Sequence, residues 1–178
     1  MHVIFIGLIP LVLFVLINFK LGQKAGIISA MVSYVFVFGF FAIFYGYIDG
    51  ISILEGILIF VLGGIGIKMN NAKYFKFQPA VTGIFLGLVF AWHQVFDTPI
   101  LVKMLPRMQL LMPQMGDLSE IPEFADSLAR ISGLMGITFF VHAAIVGYCA
   151  MKTKDTGWLV ARIAIYPMMI MTMFLARI

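Results

Sequence analysis

Glu55, His142 and Arg162 are ionisable residues set within apolar stretches, where a charge is costly and therefore a functional suspect. His142 could exchange a proton near neutral pH, Glu55 could accept one, and the Arg162 guanidinium could hold a carboxylate or a phosphate. Depth separates function from tolerance. His142 lies near the middle of the stretch 131–151, with neither end within a side chain's reach, so it must face a bundle interior. There it either bonds a carbonyl or hydroxyl of a neighbouring helix or serves a proton relay. Arg162 follows Trp158, read as an interface marker, by one helical turn and so lies only ~6 Å deeper. A long side chain covers that distance, which makes snorkelling toward Lys152, Lys154 and Asp155 one reading and an internal pair or lipid-phosphate contact the other. Glu55, one turn into its own segment, suits the positive end of a helix dipole. His93 beside Trp92 reads as an interfacial anchor.

Enzyme signatures are missing where they are easiest to see. There is no HExxH, GxSxG or P-loop, and the three His are far apart. Cys149 is the single cysteine, which excludes an intramolecular disulfide and a thiolate metal cluster. The expectation is a protein with no catalytic residue, no metal site and no cofactor.

The elements that position these residues follow from composition. With 62% hydrophobic and 11% charged residues and a mean hydropathy of +1.07, the chain has too few polar groups to cover a soluble surface. Lipid must be its solvent. The formal charge of +4 is scattered, forms no stripe for a phosphate backbone, and points to lipid headgroups rather than nucleic acid. The amino terminus lacks the basic region and cleavage site of a signal peptide, so it reads as a retained segment.

A bilayer core needs about 20 helical residues, and long runs without alternation exclude a barrel. The fold class is therefore all-α, one integral membrane domain over 1–178 with five or six membrane segments near 3–17, 25–47, 51–67, 79–96, 131–151 and 158–178. The first is short and carries Pro10, so whether it spans is open. The connector 97–130 has two parts. Asp97-Thr98-Pro99 reads as a helix start, with Asp or Thr as N-cap and Pro at the first position. Lys103 and Arg107, four residues apart on one face, then suggest an amphipathic interfacial helix over 100–112, with an irregular loop as the alternative. Ser119, Pro122 and Glu123 read as a second helix start leading into the fifth segment.

If all six segments span, the lysines at 20, 24, 68, 73, 76, 152 and 154 share one side, opposite Lys103, Arg107, Arg130 and Arg177. By count the first side is cytoplasmic, though sidedness stays open with the first segment. Gly22 with Gly26 and Gly83 with Gly87 form small-xxx-small pairs that suit packing within one bundle or, less readily, a homo-oligomer.

Several stretches resemble the bacterial inner-membrane-spanning septation proteins, also called intracellular septation protein A. Ile9-Pro10-Leu11, Phe14 and Phe19-Lys20-Leu21 resemble that family's opening run. Lys76-Phe77-Gln78-Pro79 is similar to a Lys-Trp-Lys-Pro start of a membrane helix, with Gln78 in place of a basic residue. The stretch from Thr98 and Pro99 through Lys103 to Leu105 resembles a Lys-Pro-Leu-Ile-Gln-Arg-Met-Leu stretch, and Phe139-Phe140 and Trp158 with Arg162 fall at matching places. The resemblance implies a multi-pass inner-membrane protein of envelope maintenance and septation that contacts division and envelope-synthesis proteins. It brings no catalytic residues.

Two functions are compatible with the residues. One is a non-enzymatic envelope protein whose partners are membrane lipids and other inner-membrane proteins, with 97–130 as its accessible surface. The other is a small-solute, proton or lipid transporter, suggested by His142, the breakers Pro10 and Pro167, and the glycines near Gly63.

Overall fold

The computed structural model describes residues 2–45, 50–106 and 122–176, which contain helices and no strand. The long helices are α1 (His2–Leu21), α2 (Gln23–Tyr45), α3 (Gly50–Lys68), α5 (Gln78–Phe96) and α7 (Pro122–Lys152). Single turns form α4 (Lys73–Lys76) and α6 (Ile100–Lys103), and α8 (Asp155–Ile163) with α9 (Ile165–Leu175) makes the last segment. Among the described residues five stretches are long and apolar enough to cross a membrane, and Ile9–Leu21 within α1 is a further apolar stretch. The fold is an all-α helical bundle.

Local chemistry sets the boundaries. Gly22 adopts φ +86°, open to glycine at no steric cost, and its N–H closes α1 on the Asn18 carbonyl at 3.0 Å, so α2 begins one residue later. Asn70 does the same for α3 at φ 50°, with the Asn71 N–H reaching back to the Gly66 carbonyl at 2.9 Å. Pro79 has no N–H for the Phe75 carbonyl, and the chain turns at Phe77 between α4 and α5. The second helix start and the fifth segment are one 31-residue helix, α7. Pro167 likewise has no N–H for the Ile163 carbonyl, so one ladder bond is missing beside Ala164, whose backbone stays helical at φ −59° and ψ −17°, and the ladder resumes with Met168 N–H on the Ala164 carbonyl at 3.1 Å.

The expectation for the connector needs correction at its start. Pro99, not Asp97 or Thr98, is the N-cap of α6, and α6 lasts one turn before Met104. The expected interfacial helix from 107 onward, including Arg107, lies outside the described residues, as do Ser119 and Arg177.

Contacts divide the chain into two compact units. The first comprises Met1–Thr82 with Ile145–Arg162, the second Gly83–Ala144 with Ile163–Ile178. In the first, α3 buries Gly56, Ile59, Gly63 and Gly66 and exposes Ile57, Phe60, Val61 and Ile65. Large apolar residues outside and small ones inside suit lipid as solvent, because helices there gain from close backbone approach rather than from hiding apolar area. Gly26 is such a contact, since a Cβ on it would lie 2.7 Å from Asn18 Cβ. In the second unit a Cβ on Gly83 would meet Ala143 at 3.1 Å and one on Gly87 would meet the Phe140 ring at 2.9 Å. Gly26, Gly83 and Gly87 thus pack helices of their own chain, whereas Gly22, with open space around it, serves the turn. The Thr138 and Thr172 hydroxyls add a hydrogen bond of 2.6 Å between α7 and α9.

Candidate functional site

Three chain connections meet at one end of the first unit. Gln23, opening α2, accepts the Ala72 N–H at 2.9 Å, which ties the α1–α2 turn to the α3–α4 turn. Asp155, opening α8, takes a hydrogen bond from the Asn18 side-chain amide and forms an ion pair with Lys76. Trp158, one turn into α8, donates its Nε1–H to the Lys76 carbonyl at 2.9 Å. Lys76 is thus held by its main chain and its side chain at once. Beneath it the rings of Phe14 and Phe75 stand 4.7 Å apart, and Trp158 meets Phe14 edge-on at 5.6 Å.

The electrostatics of this end are lopsided. Lys20, Lys24, Lys68, Lys73, Lys76, Lys152 and Lys154 lie in or beside the three connections, and Asp155 is the one acid there. Lys76, 9% exposed, has its charge balanced locally; Lys20, Lys24 and Lys154 are exposed. Gln78, also buried, donates to the Thr82 hydroxyl at 3.3 Å, so the neutral amide where the family resemblance has a basic residue fits an interior site.

One expectation changes and one alternative is decided. Trp158 is fully buried and does not mark an interface; its indole fills the core that Phe14 and Phe75 leave open and finds its hydrogen-bond partner inside. Arg162 does not snorkel back toward Lys152 and Lys154. It pairs with Glu55 at 3.4 Å, both side chains being partly buried, roughly 10 Å along α8 from Asp155. Glu55 is then a counter-charge for Arg162 as well as an early residue of α3. Pro79 is buried in the first turn of α5, where a missing N–H does no harm.

The second unit carries a different polar group at the end of α5. Asp97 accepts the Lys103 ammonium at 2.8 Å and the Thr98 N–H at 2.7 Å. These two bonds, Lys103 first, lower its pKa from 3.8 to about 2. His93 Nδ1 lies 3.0 Å from the same carboxylate but unaligned for a hydrogen bond, so that contact is one of charge when the ring is protonated. The rings of Trp92 and Phe96, both exposed, pack at a tilt with centroids 4.7 Å apart. Pro99 opens α6, and Ser132 accepts the Leu101 N–H at 3.0 Å, which docks this turn on α7. His142 is buried in α7 at 4% exposure.

The structure brings together Lys76 with Trp158, and Glu55 with Arg162, and it places Lys103 by Asp97. Sequence reasoning missed Asp155, Asn18 and Phe75 as partners. The signal for Asp155 was present, as the one acid among the lysines of three connections. Among the described residues no group of three or more His, Cys, Asp or Glu could hold a metal ion. The family model described as Intracellular septation protein A matches residues 2–178. No curated protein and no solved structure matches the chain.

Proposed function

The chain belongs to the intracellular septation protein A family, and from that premise we propose that it serves envelope maintenance and septation in the bacterial inner membrane, through lateral contacts with division and envelope-synthesis proteins and without catalysing a reaction. The observation that supports this reading is the use made of charge inside the apolar segments. Lys76 is spent on Asp155 and Arg162 on Glu55, so these groups tie helices to one another. What faces outward is apolar side chain along the helices and, in the second unit, the exposed corner of Trp92, Phe96, Asp97 and Lys103. Aromatic residues beside an exposed ion pair suit contact with another membrane protein.

Crosslinking in native membranes, followed by mass spectrometry of everything joined to the tagged chain, tests it. Division and wall-synthesis proteins are expected, with less of them after Lys103→Glu, which sets a second carboxylate against Asp97. Recovery that is unchanged when 97–130 is scrambled overturns the assignment of this surface.

The buried His142 and the ladder bond missing at Pro167 in the last segment favour a second reading, transport of a proton, small solute or lipid. Its test is flux into vesicles, and a flux absent from the parent protein or indifferent to His142→Ala counts against it. The lysine-rich end of the first unit is proposed to face the cytoplasm, where the excess of Lys and Arg in short loops is found. Thiol labelling of Lys24→Cys from one side of the membrane checks this.

A further inference from the structure

We propose that a groove at the lysine-rich end of the first unit binds a phospholipid with an anionic headgroup. The groove has a volume of about 550 Å³ and runs between the last turns of α1 and the start of α8. That size lies within the roughly 300–1,000 Å³ of small-ligand sites. Val15, Leu16 and Phe19 line its apolar part, and Lys20, Lys154 and Thr156 line the rest, with Asp155 also reached.

Charge decides what kind of ligand fits. Asp155 is already engaged by Lys76 and Asn18, so it does not cancel the lysines at the lip. Lys20 and Lys154 are exposed and have no ion-pair partner among the described residues. Two cations converge on one groove and await an anion. Below them Leu16 is 55% exposed and Phe19 90%, on the outer side of α1 where acyl chains run. A soluble phosphate would satisfy the lysines and leave that wall uncovered; a phospholipid covers both, since its own order of chain and then phosphate repeats the order of apolar wall and then lysine. Basic pockets between membrane helices hold anionic headgroups for this reason.

The other lysines of this end create a diffuse field that draws any anionic surface, so the experiment must separate field from groove. The purified full chain is titrated with phosphatidylglycerol or phosphatidylcholine and the bound lipid counted by native mass spectrometry. The parent is expected to keep phosphatidylglycerol in preference to phosphatidylcholine. Lys20→Gln with Lys154→Gln should weaken that binding roughly twenty-five-fold, at about fivefold per cation. Lys24→Gln with Lys68→Gln, which removes the same charge outside the groove, should change it less than about twofold. Equal losses in the two double variants, or no preference between the lipids, overturn the proposal. A photoreactive phosphatidylglycerol on the unaltered protein gives a readout independent of any variant's folding. Labels on 15–20 and 154–156 are expected, and labels confined to other segments or displaced equally well by glycerol phosphate reject a lipid site in this groove.

Discussion

In the first unit Lys76 meets Asp155 with 9% and 24% of their side chains exposed; in the second Lys103 meets Asp97 with 57% and 39%. The residue types are the same, and the consequences differ because the surroundings do. Around Lys76 an indole hydrogen bond, the Asn18 amide and a stacked aromatic cluster fix the pair and exclude solvent. Removing one partner there strands a charge. Around Lys103 water competes for both ions, and holding two long side chains in one geometry offsets much of the attraction. One ion pair is part of the fold, and the other is a surface available to change.

Trp158→Ala should break the contrast most strongly. It removes the ring that covers Phe14 and Phe75, at a cost of roughly 3–5 kcal/mol, measured by denaturant unfolding in mild detergent. Trp158→Phe keeps one ring but loses the bond to the Lys76 carbonyl and part of the indole packing, for about 1–3 kcal/mol, less than the alanine change. Next comes Lys76→Met, which leaves Asp155 without its ion pair. Because Asp155 is partly wet, the loss should fall at the low end of roughly 3–5 kcal/mol, and Asp155→Leu in the same chain should restore much of it. Lys103→Met should leave the unfolding midpoint where it was. A midpoint shift as large as that of Lys76→Met would erase the distinction between the two pairs.

Gly26→Ala sharpens the comparison from a distance. A Cβ at Gly26 would lie 2.7 Å from Asn18 Cβ and 3.0 Å from the Phe14 carbonyl, so it displaces the residue whose amide holds Asp155. Overpacking of this kind costs about 1–3 kcal/mol. Gly64→Ala, in the same bundle but with open space around it, should instead be neutral or gain about 0.5–1 kcal/mol of helix propensity, by the same unfolding measurement.

The smallest effect belongs to Asp97. Its carboxyl should titrate at about 2 by carbon NMR, and Lys103→Gln should move it back toward 3.8. The sign follows from the direction of the shift. A lowered pKa in the folded state stabilises above the ordinary value of 3.8, and that contribution fades as pH falls toward 2. With Asp97 at the surface, the change in stability over this window should be slight. A midpoint near 3.8 in the parent would mean that the Lys103 contact does not persist.

Much of the fold was legible in the residues. The expected segments near 25–47, 51–67 and 79–96 correspond to α2, α3 and α5 within a few positions, because Gly22, Asn70 and Pro79 act on their own turn of chain whatever packs around it. The start of α7 at Pro122 was legible for the same reason. What the residues left wrong or open has a different cause. The habit of tryptophan at interfaces misplaces Trp158, and the reach of the Arg162 side chain leaves snorkelling and an internal pair both possible; each is decided by a partner distant in the chain, Lys76 and Glu55 respectively.

The stretches that carry the family resemblance divide along the same line. As text, Phe14, the run from Lys76 to Pro79, and Trp158 with Arg162 are separate short patterns. In the folded chain Phe14, Lys76 and Trp158 form one cluster at one end of the first unit. The sequence by itself determined that the protein is a membrane protein, where several of its long helices begin, and which residues carry charge into apolar surroundings, since hydropathy, proline and glycine act locally. Only the tertiary structure decided which charges neutralise each other and which stay open to a ligand. Pairing depends on which helices share a face, and that is set by close packing at positions such as Gly26, where nothing in the neighbouring residues names the partner.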